Sequence, residues 1–294
     1  MIQPVNFGFN EQTVVNNSFQ KNTGDDIQQY ALQEFNDFVN LLKKNKVDVT
    51  VIEDSLQPAT PDSIFPNNWI SFHENGCIFL YPMFAKNRRL ERTPAVLDAV
   101  KAKFSVTEII DLSKSETDSL FLEGTGSMVL DRKNKIAYAC LSPRTNETIL
   151  NEFCKLADYK AITFKAKDDI GFDIYHTNVM MCIAKTFVAV CLESVTDEEQ
   201  KVNLVNSFKR TGKEIVDISL QQLNHFAGNM LQVINEDEEL LLVMSTQAYQ
   251  SLTESQIKAL QKHNRIIHAS LKNIETAGGG SARCMIAEIF LTLK

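Results

Sequence analysis

The sequence lacks the features that mark exported and membrane proteins. Its first residues contain no basic segment followed by an apolar one, and no stretch approaches the roughly 18 consecutive apolar residues that a membrane-spanning helix needs. Its six cysteines lack the paired spacing of a disulfide framework, so reduced thiols are expected. These absences predict a cytoplasmic protein with no membrane partner.

The sequence also has fewer basic than acidic residues. The 294 residues have a formal net charge of −7 at pH 7, and the acidic residues are spread along the chain. This balance gives no electrostatic reason to expect a nucleic-acid partner, so a small molecule is the expected ligand. Because there is no low-complexity tract, linker or break in composition, the sequence predicts a single domain over residues 1–294. It indicates no oligomeric state.

A β-hairpin pattern, two apolar runs joined by a short polar turn, occurs four times. The hairpins begin at Trp69, Ser127, Asn178 and Asn229, at intervals of 58, 51 and 51 residues. A helical pattern follows each of them, over residues 93–104, 145–157, 196–209 and 253–263. An internal repeat of this length predicts an α/β fold built from similar units in a radial or solenoidal arrangement.

A fifth unit would need both ends of the chain. It would combine a strand from CMIAEIFLTL at the C-terminus, a strand from IQPVNFGF at the N-terminus and a helix over Asp26–Lys44. That arrangement closes a ring and removes exposed sheet edges. The alternative is an ordinary α/β sheet with hairpins at coincidental intervals.

The glycine-rich segment GGGSARC ends at Cys284 and precedes an apolar, strand-like run. Consecutive glycines allow a backbone to approach a ligand closely or to adopt positive φ. A phosphate-binding P-loop is excluded, because no Gly-Lys-Ser/Thr follows and a strand pattern stands where a helix is required. The segment indicates either a nucleophilic thiol at the mouth of a strand or a buried structural cysteine. A buried structural role is expected for the other five cysteines, which are Cys77, Cys140, Cys154, Cys182 and Cys191.

A nucleophilic thiol needs a base, and histidine is the expected partner. His176 lies in the polar cluster DIYHTN directly before the third hairpin, and Glu123, in LEGTGS, occupies the same place before the second. In a ring, both side chains would point at the central axis. Structural roles in turns are the alternative for each of them. Of the four remaining histidines, only His225 stays open as a candidate base.

Five segments carry a family resemblance: PDSIFPNNW, LEGTGSMV, LSPRTNE, YHTNVMM and GGGSARC, which extend from Asp62 to Cys284. Together they resemble the guanidino-group-modifying superfamily of dimethylarginine dimethylaminohydrolases, arginine deiminases and amidinotransferases, most closely its citrulline-utilisation hydrolase branch. The resemblance implies the pentein fold, an α/β propeller of five ββαβ-type units around a pseudo-fivefold axis. This expectation agrees with the repeat in the sequence.

The resemblance also implies roles for particular residues. Cys284 would be the nucleophile, His176 the general acid and base, and Glu123 a carboxylate that binds substrate nitrogens, with no metal or organic cofactor. Arg144 would bind the carboxylate of an amino-acid substrate, assisted by Arg88 or Arg89. The remaining expected substrate-binding residues are Asp62, Asn67, Asn68 and Asn178.

Three of these positions favour a neutral substrate. Asn67, Asn68 and Asn178 stand where relatives that act on cationic guanidines have carboxylates. Amides both donate to and accept from a ureido group, whereas a buried carboxylate beside a neutral ligand would be uncompensated. The sequence therefore predicts hydrolysis of citrulline to ornithine, ammonia and carbon dioxide. The alternatives are an arginine or methylarginine hydrolase, an amidinotransferase and a catalytically silent pentein that serves as a binding scaffold.

Overall fold

The strands of the chain form several small sheets instead of one continuous sheet. A computed structural model, which describes residues 1–22 and 27–294, contains four three-stranded sheets and one two-stranded sheet within those residues. The strands are β1 Ile2–Gln3, β2 Ile52–Glu53, β3 Ile70–Phe72, β4 Cys77–Leu80, β5 Glu108–Asp111, β6 Val129–Asp131, β7 Ile136–Cys140, β8 Lys160–Phe164, β9 Met181–Ile183, β10 Phe187–Val190, β11 Glu214–Asp217, β12 Leu231–Ile234, β13 Leu240–Ser245 and β14 Arg265–Ala269.

The three-stranded sheets share one topology. In each, an antiparallel hairpin is followed by a helical connection, and the second hairpin strand pairs in parallel with the strand after it. In the third sheet, Val190 of β10 lies opposite Met181 of β9 on one side and opposite Asp217 of β11 on the other. The predicted hairpin-and-helix repeat is therefore confirmed in four units.

The helices lie close to their predicted positions. The side chain of Thr253 accepts a hydrogen bond from the Gln256 backbone, and the Gln256 side chain accepts one from the Thr253 backbone, which forms a capping box. No helix in the described residues is long and apolar enough to cross a membrane. The helices are α1 Ile27–Lys44, α2 Pro94–Lys103, α3 Gly124–Ser127, α4 Glu147–Ala157, α5 Thr177–Met180, α6 Glu198–Arg210, α7 Leu220–Leu223, α8 Thr246–Ser251, α9 Glu254–Gln261 and α10 Lys272–Gly278. The predicted start of α1 at Asp26 lies outside the described residues.

The fifth unit departs from the prediction. Strands β1 and β2 pair in parallel, but the segment after Cys284 forms no strand in the structure and makes only an isolated bridge, from Leu293 to Phe104. The Arg283 side chain donates to the Ile286 carbonyl at 2.9 Å. This carbonyl would otherwise accept a hydrogen bond from a neighbouring strand. The predicted C-terminal strand is therefore wrong, and the small sheets do not confirm a closed five-unit propeller.

The interior is apolar and contains the thiols. All six cysteines are free, as predicted, and all six are buried, which was predicted for the five other than Cys284. Burial raises the pKa of Cys140 and of Cys182 to about 12, so both stay protonated at neutral pH. They pack as small hydrophobic residues in the largest core cluster.

Short helical turns precede three of the hairpins and lie together. Helix α3 contacts both α5 and the 3₁₀ turn Pro66–Asn68. Glu123 occupies the position directly before α3, and His176 occupies the same position before α5. The predicted equivalence of these two positions in the repeat is confirmed, and it brings their side chains together.

Candidate active site

A narrow cavity lies between these short turns and the glycine-rich loop 278–280. It brings together the thiol of Cys284 and the imidazole of His176, the two groups predicted to perform the chemistry. Its other polar or charged lining residues are Thr13, Asn17, Asp62, Asn68, Arg88, Arg144 and Tyr175. Most of the predicted site residues therefore line one cavity or contact a residue that lines it.

Glu123 is a buried carboxylate that holds His176. Its Oε2 atom lies 2.8 Å from His176 Nε2, and its Oε1 accepts a 3.0 Å hydrogen bond from the Phe84 backbone. Burial acts to raise the pKa of Glu123, but Arg144 at 3.5 Å and the hydrogen bond to His176 overcome it and lower the pKa to about 2. Glu123 is therefore ionised at neutral pH.

His176 is uncharged in this setting. Burial lowers the pKa of His176 to about 4, although the hydrogen bond and charge of Glu123 act in the opposite direction. A neutral imidazole facing an ionised carboxylate donates from Nε2, which leaves Nδ1 as the basic nitrogen. Glycine is required beside the ring, because a Cβ at Gly126 would lie 2.8 Å from His176 Nδ1. The site thus contains a base that is ready to accept a proton at neutral pH.

Hydrogen bonds and close packing fix the conformation of the loop before Cys284. The Cys284 N–H donates to the Ser281 carbonyl at 2.9 Å, and the Tyr175 hydroxyl donates to the Gly279 carbonyl at 2.5 Å. Gly279 has a φ of +63°, and a Cβ at Gly280 would lie 2.9 Å from the Phe65 ring. The glycines therefore permit the close approach that places Cys284 at the cavity.

Two asparagine amides donate to the sulfur of Cys284. Asn178 Nδ2 lies 3.4 Å from Sγ, and Asn229 Nδ2 lies 3.2 Å from it. Asn178 was predicted as a site residue, whereas Asn229 was not singled out. The spacing contains a signal for it, because Asn229 stands 51 residues after Asn178 at the start of the next hairpin unit.

Asp62 is the second carboxylate at the cavity. Its Oδ2 atom accepts hydrogen bonds from Asn10 at 2.7 Å and from Thr13 at 3.1 Å, while Oδ1 is buried without a hydrogen-bond partner in the described residues. Burial raises the pKa of Asp62, although Arg88 at 3.9 Å acts to lower it. Asp62 therefore offers a free acceptor atom close to the predicted nucleophile's cavity.

The two neighbouring arginines have different positions. Arg88 lines the cavity, pairs with buried Glu91 at 2.8 Å and donates to Asn68 Oδ1 at 2.7 Å. Arg89 instead donates to the Met83 carbonyl at 3.0 Å and does not line the cavity. Of the pair that the sequence left open, the structure places Arg88 at the site, and the expectation for Arg89 is corrected.

Arg144 lies at the cavity against the N-terminal segment. It donates to Asn16 Oδ1 and, at 2.7 Å, to the Thr13 carbonyl, and it stacks 5.0 Å from the Tyr175 ring centroid. Residues 10–17 match no repeat and no motif, so nothing in the sequence assigns them to the site. Asn67 does not line the cavity; it is buried, and its amide donates to Thr125 at 3.3 Å.

The other histidines lie away from this cavity. His225 borders a separate, more open cleft together with Glu275, and its Nδ1 contacts the Gln221 carbonyl at 2.7 Å. His73, His263 and His268 make side-chain hydrogen bonds with Ser71, Thr186 and Thr246 respectively. Within residues 1–22 and 27–294, no group of three or more His, Cys, Asp or Glu side chains could hold a metal ion. The site is a thiol beside an imidazole–carboxylate pair.

Comparison with known families agrees with the class that this site defines. The family model described as "N,N dimethylarginine dimethylhydrolase, eukaryotic" matches residues 3–291, and the chain belongs to that family. The predicted membership of the guanidino-group-modifying superfamily is therefore confirmed. No curated protein sequence matches the chain.

Solved structures share the fold. The substrate-bound N-terminal domain of ArgZ, an arginine dihydrolase of the cyanobacterial ornithine–ammonia cycle, superposes with a TM-score of 0.76 at 17% identity, covering 99% of this chain and 98% of that one. Unliganded AgrE gives 0.76 at 19% identity, covering 97% of this chain. A dimethylarginine dimethylaminohydrolase adduct gives 0.63 at 14% identity, covering 88% and 92%. The chain spans only 39% of longer ArgZ and 38% of AgrE.

Proposed function

We propose that this chain is a thiol hydrolase that acts on the ureido or guanidino carbon of an amino acid, with citrulline as its substrate. The observation that supports the proposal most strongly is the presence of Cys284 and the His176–Glu123 pair at one cavity. Residues 1–294 would form a single domain. The small sheets would be the units of a five-unit propeller.

The first half of the reaction forms a covalent intermediate. His176 takes the thiol proton at Nδ1, and the Cys284 thiolate forms a bond to the planar carbon of the substrate. The tetrahedral adduct collapses when the imidazolium returns its proton to the departing nitrogen. Glu123, ionised and 2.8 Å from His176 Nε2, stabilises the imidazolium between these two proton transfers.

The second half releases the sulfur. Neutral His176 accepts a proton from a water molecule that attacks the S-linked carbon, and Cys284 leaves as the thiolate. For citrulline the overall reaction consumes water and yields ornithine, ammonia and carbon dioxide. An amidinotransferase would use the same first half and pass the S-linked group to an acceptor amine instead of water.

The polarity of the cavity supports a neutral reacting group. The buried Oδ1 atom of Asn178 has no hydrogen-bond partner in the described residues, and it belongs to the amide that contacts Cys284 Sγ. An amide oxygen accepts from a ureido N–H without placing an uncompensated charge beside it. Glu123 is already paired with the Arg144 cation and hydrogen-bonded to neutral His176, so it does not require a cationic substrate.

A cationic guanidino substrate is the second candidate. The free Oδ1 atom of Asp62 is the observation that favours it, because a carboxylate oxygen is a suitable acceptor for a guanidinium. The family description names dimethylarginine, and the ArgZ domain is described as an arginine dihydrolase. Both substrates would place their amino-acid carboxylate at Arg144.

The test is release of ammonia from citrulline, arginine and agmatine, and of dimethylamine from dimethylarginine, by the purified protein given each compound separately without an amine acceptor. We expect release from citrulline, formation of ornithine, and loss of both in Cys284→Ala. Cys182→Ala, which removes a buried thiol outside the cavity, is the matched control and should retain activity. Release only from arginine or dimethylarginine would establish a cationic guanidino substrate. No release from any of the four compounds would favour a transferase or a binding scaffold.

A further inference from the structure

Asn229 is buried, and both the oxygen and the nitrogen of its side-chain amide form hydrogen bonds. Its Oδ1 atom accepts the Arg283 backbone N–H at 3.0 Å, and its Nδ2 donates to the Asn178 carbonyl at 2.9 Å and to Cys284 Sγ at 3.2 Å. An NH₂ group has two hydrogens, so one is available for each of these acceptors. Reversing the amide would place its oxygen against the Asn178 carbonyl and its NH₂ group against an N–H donor. The contacts therefore fix an N–H of Asn229 toward the sulfur.

The local sequence explains how Asn229 reaches this position. A Cβ on Gly228 would lie 2.6 Å from the Met180 carbonyl carbon, so only glycine allows the chain to pass this close to α5. The Asn229 N–H donates to the Phe226 carbonyl at 2.9 Å, which closes the turn before β12. The fourth repeat unit thereby supplies a polar residue to the site, although its polar cluster is weak in the sequence.

The groups around the Cys284 sulfur supply little positive charge that could stabilise its thiolate. His176 is neutral at rest, because burial lowers its pKa to about 4. Arg88 is paired with Glu91, and Arg144 with Glu123, in buried ion pairs. Hydrogen bonds to the charged form of an acid favour that form. Two amide N–H groups at 3.2 and 3.4 Å are therefore the direct donors to the sulfur in the described structure.

We propose that Asn229 is a further catalytic residue, which together with Asn178 stabilises the Cys284 thiolate by amide hydrogen bonds. The inference deepens the proposed function, on which it rests for the role of Cys284 as nucleophile. The same N–H groups hold the sulfur when it leaves the S-linked intermediate as thiolate. Asn229 acts in both halves of the reaction, because a thiolate is present at the start of the first half and at the end of the second.

The test measures alkylation of Cys284 by iodoacetamide as a function of pH, with the modified peptide identified by mass spectrometry. Only the thiolate reacts, so the rate reports its population without any substrate. In Asn229→Ala we expect the rate at pH 7 to fall about tenfold, while the rate at strongly alkaline pH stays unchanged. A loss of access to Cys284 would lower both rates alike.

Asn229→Asp separates hydrogen-bond donation from a structural role. Aspartate keeps the acceptor for the Arg283 N–H but replaces the NH₂ group at the sulfur by oxygen. We expect its alkylation at pH 7 to be slower than that of Asn229→Ala, and it provides the comparison if the alanine variant fails to fold. Asn264→Ala removes a buried amide that donates to the Leu260 carbonyl outside the cavity, and it should behave as wild type.

Each outcome decides the inference. Wild-type alkylation at pH 7 in Asn229→Ala, an equal loss at all pH values, or wild-type behaviour of Asn229→Asp would overturn it. Because the measurement needs no substrate, its result is independent of the proposed function. A shifted alkylation profile in a protein that turns over no ureido or guanidino compound would retain the thiolate role and reject the hydrolase, whereas an unshifted profile in an active hydrolase would do the reverse.

Discussion

Charged side chains buried at the cavity each interact with a specific partner side chain. Glu123 is shared between His176 and Arg144, and Arg88 pairs with Glu91. An isolated charge in such a place would be strongly disfavoured, so each group depends on its partner. The functional consequence is a neutral histidine beside an ionised carboxylate, which is the arrangement a general base requires.

Glu123→Gln tests the contribution of this carboxylate. Glutamine can still accept a hydrogen bond from His176 Nε2 but supplies no negative charge to the imidazolium, so we expect kcat to fall about 100-fold. Steady-state kinetics with the preferred substrate measure it. Glu116→Gln is the control, because Glu116 pairs with Arg92 outside the cavity and its loss should leave kcat near wild type. A kcat for Glu123→Gln within threefold of wild type would contradict the role of Glu123.

The pH dependence of activity reports the state of His176. As a base it must be unprotonated in the free enzyme, and its pKa is lowered to about 4. We therefore expect kcat/KM to stay level as the pH falls below 7 and to decline only as it approaches about 4. A decline centred near the ordinary histidine pKa of about 6.5 would show that His176 is not held neutral by burial.

The elements of the fold differ in how far the sequence predicts them. Alternating apolar runs and capped helical patterns are local, and they located the four hairpins and the helices between them. The predicted C-terminal strand is absent because the Ile286 N–H bonds the Arg283 carbonyl within a turn and the Arg283 side chain donates to the Ile286 carbonyl, which no periodicity shows. Asn229 and the N-terminal segment were missed for a related reason, since they reach the site through tertiary contacts and not through a motif.

Gly126→Ala tests how the α3 turn positions the histidine. A methyl group at this position would lie 2.8 Å from the His176 ring and also meet the Asn68 amide, so one of them must move. We expect a destabilisation of about 1–3 kcal/mol and at least tenfold lower kcat. Gly8→Ala is the matched control, because a Cβ there meets nothing within 4 Å. Equal thermal stability and activity of both variants would show that α3 does not set the position of His176.

At the scale of the whole molecule, a buried ion pair joins two repeat units. Lys213, just before β11, lies 3.1 Å from Asp131 at the end of β6, and both side chains are almost fully buried. Lys213 also donates to the Ala184 carbonyl at 2.9 Å. A link of this kind holds neighbouring sheets at a fixed separation, which matters because the site draws its residues from several of them.

Lys213→Met tests this link. The substitution leaves the Asp131 carboxylate buried without its cation, so we expect the free energy of unfolding to fall by about 3–5 kcal/mol. Urea denaturation measures the change. Lys46→Met removes one partner of the exposed pair with Asp237 and should leave the free energy of unfolding close to that of wild type. Similar losses in the two variants would contradict a special contribution from the buried pair.

A covalent thiol mechanism is tested most directly by the mass of the protein during turnover. Protein mixed with citrulline is quenched in acid, and the peptide that contains Cys284 is examined for an adduct in which the reacting carbon of the substrate, with the nitrogen that has not departed, is bound to the sulfur. We expect the adduct on Cys284 in wild type, its accumulation when the second half of the reaction is slowed, and its absence in Cys284→Ala. Turnover without any adduct, or turnover retained in Cys284→Ala, would contradict the assignment of Cys284 as the nucleophile.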